Sequence, residues 1–180
     1  MKVDTEGNQL WVKHFGGSGN EQLLAAVEHE NGNVGFLLKS NSMDYDLANR
    51  ADSAVKGWYL ELEAEGEIIR NQSLVIPFED NITANGEHIL RGMTFYDEEN
   101  LMLYGRHYRL TEALPNQHDT GIYTGDGFYC LYNITSNQLS EDNFFGGSST
   151  DYFNTGKRLR SGNIGFGGYA NSNDGDSANE

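Results

Sequence analysis

The most regular alternation of apolar and polar residues in the chain lies at positions 58–65. Every second residue from Trp58 to Ala64 is apolar, whereas Tyr59 and three glutamates occupy the positions between. A period of two is typical of a β-strand with one buried and one solvated face. We therefore predict a half-buried strand here, with the glutamates facing water.

Further apolar runs of similar length are separated by glycine, asparagine and aspartate, which predicts an all-β chain. The predicted strands cover residues 10–15, 23–29, 34–39, 58–65, 72–78, 89–96, 101–108, 127–135, 153–159 and 164–169. Asn31-Gly32-Asn33 is the strongest hairpin signal, because Asn-Gly can place both central residues of a type I′ turn at positive φ. Turns are also predicted at Gly7, Gly66 and Asn137, each after the tail of a strand.

An internal repeat relates the two ends of the chain. A shift of 130 positions lays residues 15–50 on residues 145–180 without a gap, and 14 of 36 positions are identical. A glycine-rich, acidic composition does not give this identity by chance, so the two segments are interpreted as copies of one structural unit. They share a Phe-Gly-Gly-Ser sequence, a Gly-Asn turn and an Asn-Ser-x-Asp-x-Asp loop, which begin at Phe15 and Phe145, Gly32 and Gly162, and Asn41 and Asn171.

The spacing of the strand tails predicts the domain organisation. The tails at Gly7, Gly66 and Asn137 lie 59 and 71 residues apart, and four strands in that length are typical of a propeller blade. We predict a closing strand of a split blade (residues 1–9), two blades (10–67 and 68–137) and the first three strands of a third (138–180). The chain would thus contain the equivalent of about three blades, each of four antiparallel strands. Such a β-propeller-like array is too short for an ordinary ring. A fragment of a longer array or an incomplete ring is therefore expected.

The composition narrows the range of partners. The formal charge is −15, from 27 acidic and 12 basic residues, and it repels phosphate backbones and anionic lipid headgroups. We therefore expect no nucleic-acid partner, and no apolar run is long enough to predict insertion into a membrane. Cys130 is the only cysteine, which excludes an intrachain disulfide and a cysteine-based zinc site. Its aromatic neighbours predict that it is buried.

With these motifs assembled, the chain resembles the bacterial β-propeller repeats of the SBBP type, which occur in large secreted and cell-surface proteins. The matching motifs are Trp11 with Phe15-Gly16-Gly17-Ser18, Gly32-Asn33-Val34 and Trp58 in the first repeat, and Phe145-Gly146-Gly147-Ser148 with Gly162-Asn163-Ile164 in the third. The middle repeat keeps the order of strands but not these turns. The resemblance implies blades around a channel, with the first strand of each blade innermost. It also implies an extracellular or cell-surface location, with the export signal outside this chain.

Two copies of one acidic loop carry the only pattern with metal-binding chemistry. The candidate ligands are Asp44 and Asp46 in the first copy and Asp174 and Asp176 in the second. Closely spaced oxygen ligands on a loop suit Ca²⁺. The same residue types also form Asx-turns without an ion, and the spacing and final glutamate of an EF-hand are missing. Both interpretations stay open, and the residue types favour the plain turn.

The chain lacks the common sequence motifs of catalysis: a His-Glu-x-x-His helix, a Gly-x-Ser-x-Gly turn and a phosphate-binding loop. We predict a non-catalytic scaffold with no catalytic residue and no cofactor other than the calcium hypothesis, presenting loops for protein or carbohydrate binding. One alternative is a lectin-like module that stacks sugars on Tyr45, Tyr123 or Tyr169; another is a fragment of a propeller glycosidase. Open strand edges would favour self-association or pairing with further repeats of a longer chain.

Overall fold

The computed structural model describes residues 1–47, 56–77, 87–108, 124–140 and 142–176, which contain β-strands, one short 3-10 helix at Tyr45–Leu47 and no α-helix. The strands are β1 (Lys2–Val3), β2 (Gln9–Trp11), β3 (Glu21–Glu28), β4 (Val34–Ser40), β5 (Lys56–Leu62), β6 (Ile68–Pro77), β7 (Glu87–Phe95), β8 (Asn100–Tyr108), β9 (Gly125–Asn133), β10 (Gln138–Leu139), β11 (Asn143–Phe145), β12 (Asp151–Arg158) and β13 (Ile164–Ala170). The all-β prediction is confirmed for this part of the chain. The strands form several antiparallel sheets, none of which closes on itself.

The chain divides into two compact units, an N-terminal unit (Met1–Leu74) and a C-terminal unit (Val75–Glu180). The N-terminal unit contains the β1–β2 hairpin and a sheet with the order β3-β4-β5-β6. Strands β4 and β5 pair with Phe36 opposite Leu60 and Leu38 opposite Trp58. Trp58 and Leu60 are buried, so the pairing of β4 with β5 lies at the core of this unit.

The C-terminal unit consists of a larger sheet and a hairpin that packs on it. The sheet has the order β7-β8-β9-β10, and β11 pairs with the same strand, β9, as β10 does. The hairpin β12–β13 contacts the sheet mainly through β12, which lies against β7, β8 and β9. Leu101, Leu103, Phe128 and Tyr132 are buried in the sheet. No helix in the described ranges has the length and apolar character needed to cross a membrane.

The hairpins of the repeats use a turn that differs from the predicted one. Within residues 29–33, the Gly32 N–H donates to His29 O (2.9 Å) and the His29 N–H donates to Asn33 O (2.8 Å). Only Gly32 has a positive φ (87°), so the type I′ prediction, which requires a positive φ at Asn31 as well, is wrong. This pattern is a type I turn followed by a left-handed glycine. The same two hydrogen bonds close residues 4–8, 63–67 and 159–163.

The turns predicted at the strand tails are confirmed by their backbone conformation. Gly7, Gly66 and Asn137 have φ values of 89°, 86° and 56°. This left-handed region favours glycine and tolerates asparagine better than most other residues. Each of these turns connects the last strand of one predicted repeat to the first strand of the next.

The sheets do not coincide with the predicted repeats. Each sheet boundary is shifted by one strand relative to the predicted repeat boundary. The first strand of a repeat pairs with the last strand of the repeat before it, since β2 pairs with β1, β6 with β5, and β10 and β11 with β9. Residues 10–15 therefore do not begin the sheet that contains β3, and the strand predicted there ends at Trp11. The tight turns explain the offset because they hold consecutive strands side by side. The repeat boundaries at 10–67, 68–137 and 138–180 stay a prediction.

Strand β5 does not have the solvated face that its alternation predicts. Tyr59 and Glu61 are both buried, and side chains from the 29–33 turn and from β6 lie against Glu61. Glu61 accepts hydrogen bonds from the Asn33 side-chain amide (3.0 Å), the Tyr59 hydroxyl (3.2 Å) and Arg70 Nε (3.2 Å). These partners compensate the desolvation of the carboxylate. The alternation correctly predicted that these residues form a strand. The prediction that the polar face of this strand is solvated was wrong.

Candidate functional site

The Asp-containing loop of the N-terminal unit is hydrogen-bonded to the Phe-Gly-Gly-Ser loop. Asp44 Oδ1 accepts the Ser18 backbone N–H (2.7 Å), and Asp46 Oδ2 accepts the Gly16 backbone N–H (3.0 Å). The Asp46 N–H in turn donates to Gly16 O (3.3 Å). The Ser18 backbone and side-chain donors hold the pKa of Asp44 below its ordinary value. Both aspartates therefore join two loops that lie about 26 residues apart in sequence.

The second copy of the repeat forms the same contacts in the C-terminal unit. Asp174 Oδ1 accepts the Ser148 backbone N–H (2.7 Å), and the Asp176 N–H donates to Gly146 O (2.9 Å). A Cβ atom at Gly147 would overlap Asp174 Oδ1, so this position of the Phe-Gly-Gly-Ser sequence has room only for glycine. The glycines thus let two backbone segments approach each other closely.

These contacts give the predicted calcium ligands a structural role. Carboxylate oxygens of Asp44, Asp46 and Asp174 each accept a backbone N–H. Within the ranges that the structure describes, no group of three or more His, Cys, Asp or Glu side chains is placed to hold a metal ion. The two interpretations of the sequence are an ion site and an Asx-type loop, and the observed hydrogen bonds are those of the loop. Calcium binding stays a prediction.

A buried carboxylate at the end of the repeated Phe-Gly-Gly-Ser motif, which was not among the predicted site residues, organises the same region of the C-terminal unit. Asp151 is 1% exposed and accepts the backbone N–H groups of Gly147 (3.0 Å) and Asn171 (3.0 Å) and the Ser172 hydroxyl (2.5 Å). Glu21 occupies the equivalent position in the first copy and accepts the Ser40 hydroxyl (2.9 Å). An acidic residue at both positions was the signal in the sequence.

A second buried acid, Asp126, lies beside Gly146 on the same side as Asp151. A Cβ at Gly146 would stand 2.5 Å from Asp126 Oδ1 and 2.8 Å from Asp151 Oδ2. Asp126 lies opposite His107 in the pairing of β8 with β9, and both are buried. The neighbouring Arg106 stacks over the Tyr108 ring at 3.8 Å. This buried polar layer supports the loop from beneath.

The C-terminal unit contains an open aromatic cleft of about 900 Å³, here called the aromatic cleft. It lies between the β12–β13 hairpin and strands β9 and β11, and its aromatic lining includes Tyr129, Phe144, Tyr152, Phe153, Phe166 and Tyr169. Phe166 stacks on Phe153 (4.7 Å between ring centroids) and on Tyr129 (5.3 Å). Tyr152 stacks on Tyr169 (5.3 Å). The buried acids Asp126 and Asp151 are not among the residues that line it.

One wall of the aromatic cleft is formed by β13, whose outer edge is open. In the described part of the chain, β13 pairs only with β12. The Leu159 N–H donates to Asn163 O, so Leu159 and Asn163 form a hydrogen-bonded pair. In an antiparallel ladder hydrogen-bonded and non-hydrogen-bonded pairs alternate. The N–H and C=O groups of Ile164 and Phe166 therefore point away from β12. The alternate residues 164, 166, 168 and 170 also line the aromatic cleft. Backbone hydrogen-bonding groups and an apolar surface therefore occur together at this edge.

The candidate sugar-stacking tyrosines lie in different surroundings. Tyr169 is 48% exposed and lines the aromatic cleft together with Asp176. Tyr45 is exposed on its 3-10 turn at a positive φ of 52°. Tyr123 lies outside the described residues. Sequence reasoning missed the other aromatic residues of the cleft because they come from four strands that only the fold brings together.

No protein-family model matches the chain, and no curated protein matches it either.

Proposed function

We propose that this chain is a non-catalytic β-repeat scaffold of a secreted or cell-surface bacterial protein, and that it binds an extended strand of a protein partner along β13. The observation that carries the proposal is the open edge of β13 beside the aromatic cleft. The propeller-like arrangement and the bacterial surface origin rest on the internal repeat and on the resemblance to SBBP-type repeats. The repeated turns at residues 4–8, 29–33, 63–67 and 159–163 support the repeat at the level of backbone hydrogen bonds.

The pairing of β4 with β5 indicates how a strand would bind to β13. Strand β13 is the copy of β4, so Phe166 corresponds to Phe36 and Gly168 to Leu38. In the N-terminal unit those two positions face Leu60 and Trp58, and both partners are buried. A strand with an apolar residue at every second position would place these side chains in the aromatic cleft. Its backbone would complete the hydrogen-bond ladder, which is the usual mode of strand addition.

A synthetic peptide with the sequence of residues 56–65 is the appropriate probe, added to the full chain. In the β4–β5 ladder the Leu60 N–H faces β4, whereas the Tyr59 N–H faces the opposite side. N-methylation at Leu60 should therefore weaken binding by about tenfold or more relative to N-methylation at Tyr59, because it removes one hydrogen bond and adds a steric clash. Isothermal titration calorimetry measures both affinities. Equal affinities, or no binding of the unmodified peptide, would contradict the proposal.

Carbohydrate binding is a second candidate, favoured by the stacked pair of Tyr152 and Tyr169 beside Asp176. An exposed aromatic face with a neighbouring carboxylate offers both stacking and hydrogen bonding to a sugar ring. A glycan array separates the two candidates. A hit that disappears in Tyr169→Ala while the peptide still binds would favour the lectin-like function.

The buried acids do not favour a glycosidase. Asp151 accepts four hydrogen bonds from its own loops, and catalysis would require an acid pair that faces a substrate cleft. The non-catalytic function is therefore preferred. Hydrolysis of an array glycan by the purified chain would overturn that preference.

A further inference from the structure

The first and last hairpins of the chain correspond to the two halves of the sheet β3-β4-β5-β6. The hairpin β12–β13 is the repeat copy of β3–β4, with Ile164 at the position of Val34. The hairpin β1–β2 corresponds to β5–β6, because its turn at residues 4–8 has the same hydrogen bonds as the turn at 63–67. Val3 in β1 therefore takes the position of Leu62 in β5. In the N-terminal unit the two halves are joined by the pairing of β4 with β5.

We infer that the β1–β2 hairpin of a second copy of this chain pairs with β13 and completes a four-stranded sheet between the two molecules. The inference rests on the proposed function and names its partner. Val34 faces Leu62 and Phe36 faces Leu60 in the intact sheet. The equivalent register places Ile164 of one molecule opposite Val3 of the other, and Phe166 opposite Met1.

The outer edge of β1 has the backbone orientation that this pairing requires. The Asp4 N–H donates to Asn8 O, so Asp4 and Asn8 form a hydrogen-bonded pair. The next pair, Val3 opposite Gln9, is then a non-hydrogen-bonded pair, because the two kinds alternate along an antiparallel ladder. The N–H and C=O groups of Val3 therefore face away from β2. Within the described residues, β1 pairs with β2 alone. Each hairpin thus presents one open strand edge with matching polarity.

The side chains at this edge are apolar and exposed. Met1 is 76% and Val3 is 47% exposed, and both lie on the same face of β1 because residues two apart in a strand share a face. Lys2 lies on the opposite face, where its Nζ donates to Ala64 O (2.9 Å) and holds the hairpin to its own unit. Pairing with β13 would place Met1 beside Phe166, at the wall of the aromatic cleft. Two exposed apolar side chains would then be removed from water.

The charges at the two turns are complementary. Arg158 and Arg160 are exposed at the turn between β12 and β13, and at the turn between β1 and β2 Glu6 is exposed and Asp4 is half-buried. In the intact sheet Val34 directly follows the turn at 29–33, Leu62 directly precedes the turn at 63–67, and these two residues face each other. The two turns therefore lie at the same end of the sheet. The equivalent turns at 159–163 and 4–8 would lie at the same end of the proposed intermolecular sheet. Basic and acidic side chains would therefore meet, in a chain whose formal charge is −15. This complementarity favours a second copy over an acidic partner of other origin.

The pairing joins two different surfaces of the chain and is therefore heterologous. A contact of this kind continues from molecule to molecule unless it closes into a ring. We expect assembly that increases with protein concentration and does not stop at a symmetric dimer.

Disulfide trapping of the predicted register tests the inference. A chain with Val3→Cys and Ile164→Cys should form disulfide-linked dimers and larger species under mild oxidation, because directly opposed strand residues lie within disulfide distance. The control carries Leu10→Cys with Ile164→Cys, since Leu10 is equally exposed but lies on β2. Non-reducing gel electrophoresis reads out both variants, and we expect at least about tenfold faster cross-linking of the predicted pair. Equal rates, no cross-link, or a disulfide formed within one molecule would each overturn the inference.

Charge reversal gives an independent readout without a change in the strand. Arg160→Glu should slow the cross-linking of the Val3→Cys and Ile164→Cys chain by about threefold, and adding Glu6→Arg should restore the rate. A rate that Arg160→Glu leaves unchanged would count against the charge contact. The peptide experiment distinguishes the two proposals. If the peptide of residues 56–65 binds while no cross-link forms between molecules, the proposed function stands and the second copy is the wrong partner; if neither occurs, both proposals fail.

Discussion

Replacement of Asp151 by alanine is the sharpest test of how the Phe-Gly-Gly-Ser region is held in place. The change removes the acceptor of the Gly147 N–H, the Ser172 N–H and the Ser172 hydroxyl, and one of the two acceptors of the Asn171 N–H, which also donates to Thr150 O (3.1 Å). Gly147 is buried, whereas Asn171 is exposed, so water can replace the carboxylate more easily at Asn171. The hydroxyl of Ser172 can rotate toward another acceptor.

The magnitude follows from these four donors. A buried donor that loses its acceptor costs about 1–3 kcal/mol, and we assign about 2 kcal/mol to the Gly147 N–H, about 1 kcal/mol to the Ser172 hydroxyl, and about 1 kcal/mol to the Asn171 and Ser172 N–H groups together. Removal of a buried carboxylate also relieves its desolvation penalty, which offsets part of the loss. We therefore expect a loss of about 3 kcal/mol in the free energy that opens this part of the C-terminal unit.

The thiol of Cys130 provides the assay. It is the only cysteine, is 2% exposed in β9, and burial, reinforced by the negative charge of Asp142, raises its pKa above the ordinary range. A thiol reagent can modify it only when the unit opens, so the modification rate reports the opening equilibrium. A loss of about 3 kcal/mol corresponds to a modification rate about a hundredfold higher.

Two control variants make the result specific. Asp151→Asn keeps one acceptor oxygen and should give an intermediate rate, whereas Asp174→Ala removes one acceptor, that of the exposed Ser148 N–H, which water can replace, and should therefore change the rate much less than Asp151→Ala. If Asp151→Ala changes the modification rate by less than about threefold, the buried carboxylate does not hold the loops and the reasoning is refuted.

Two further predictions concern the acidic loop of the N-terminal unit. The melting temperature in calcium should equal that in EDTA within about 1 °C, because Asp44 and Asp46 already accept backbone N–H groups; a calcium-dependent rise that Asp44→Ala removes would establish the ion site instead. The pKa of Asp44 in the folded chain lies below its ordinary value of 3.8, so its contribution to stability is complete above that value and is lost as the pH falls through the lower folded pKa. Denaturant midpoints of the parent chain and Asp44→Asn should therefore differ at about pH 6, and the difference should shrink as the pH falls below 3.8; a difference that stays unchanged in acid would contradict this sign.

The sequence by itself determined the features that depend on neighbouring residues. Most strands of the repeats begin and end near the predicted positions, because apolar periodicity and turn residues act over a few positions; the exceptions are the strand predicted at 10–15, which ends at Trp11, and the one predicted at 72–78, which begins at Ile68. The turns at Gly7, Gly66 and Asn137 were predictable since each needs a residue that accepts a positive φ. The burial of Cys130 was predictable from its aromatic neighbours. The repeat itself was visible because both copies keep the glycines and aspartates that join their loops.

The tertiary structure alone decided how the strands are grouped and which of their faces meet. Burial of Glu61 required Arg70 from β6 and Asn33 from the 29–33 turn in addition to Tyr59 of its own strand. Alternation within β5 carries no information about the first two partners. The offset of the sheets by one strand depends on pairing between repeats, which leaves no local signal. The aromatic cleft depends on Tyr129 and Phe166, which lie far apart in sequence and meet only when β12–β13 packs on β9. Contacts between distant residues form only in the folded chain, and they created the surface to which we assign the function.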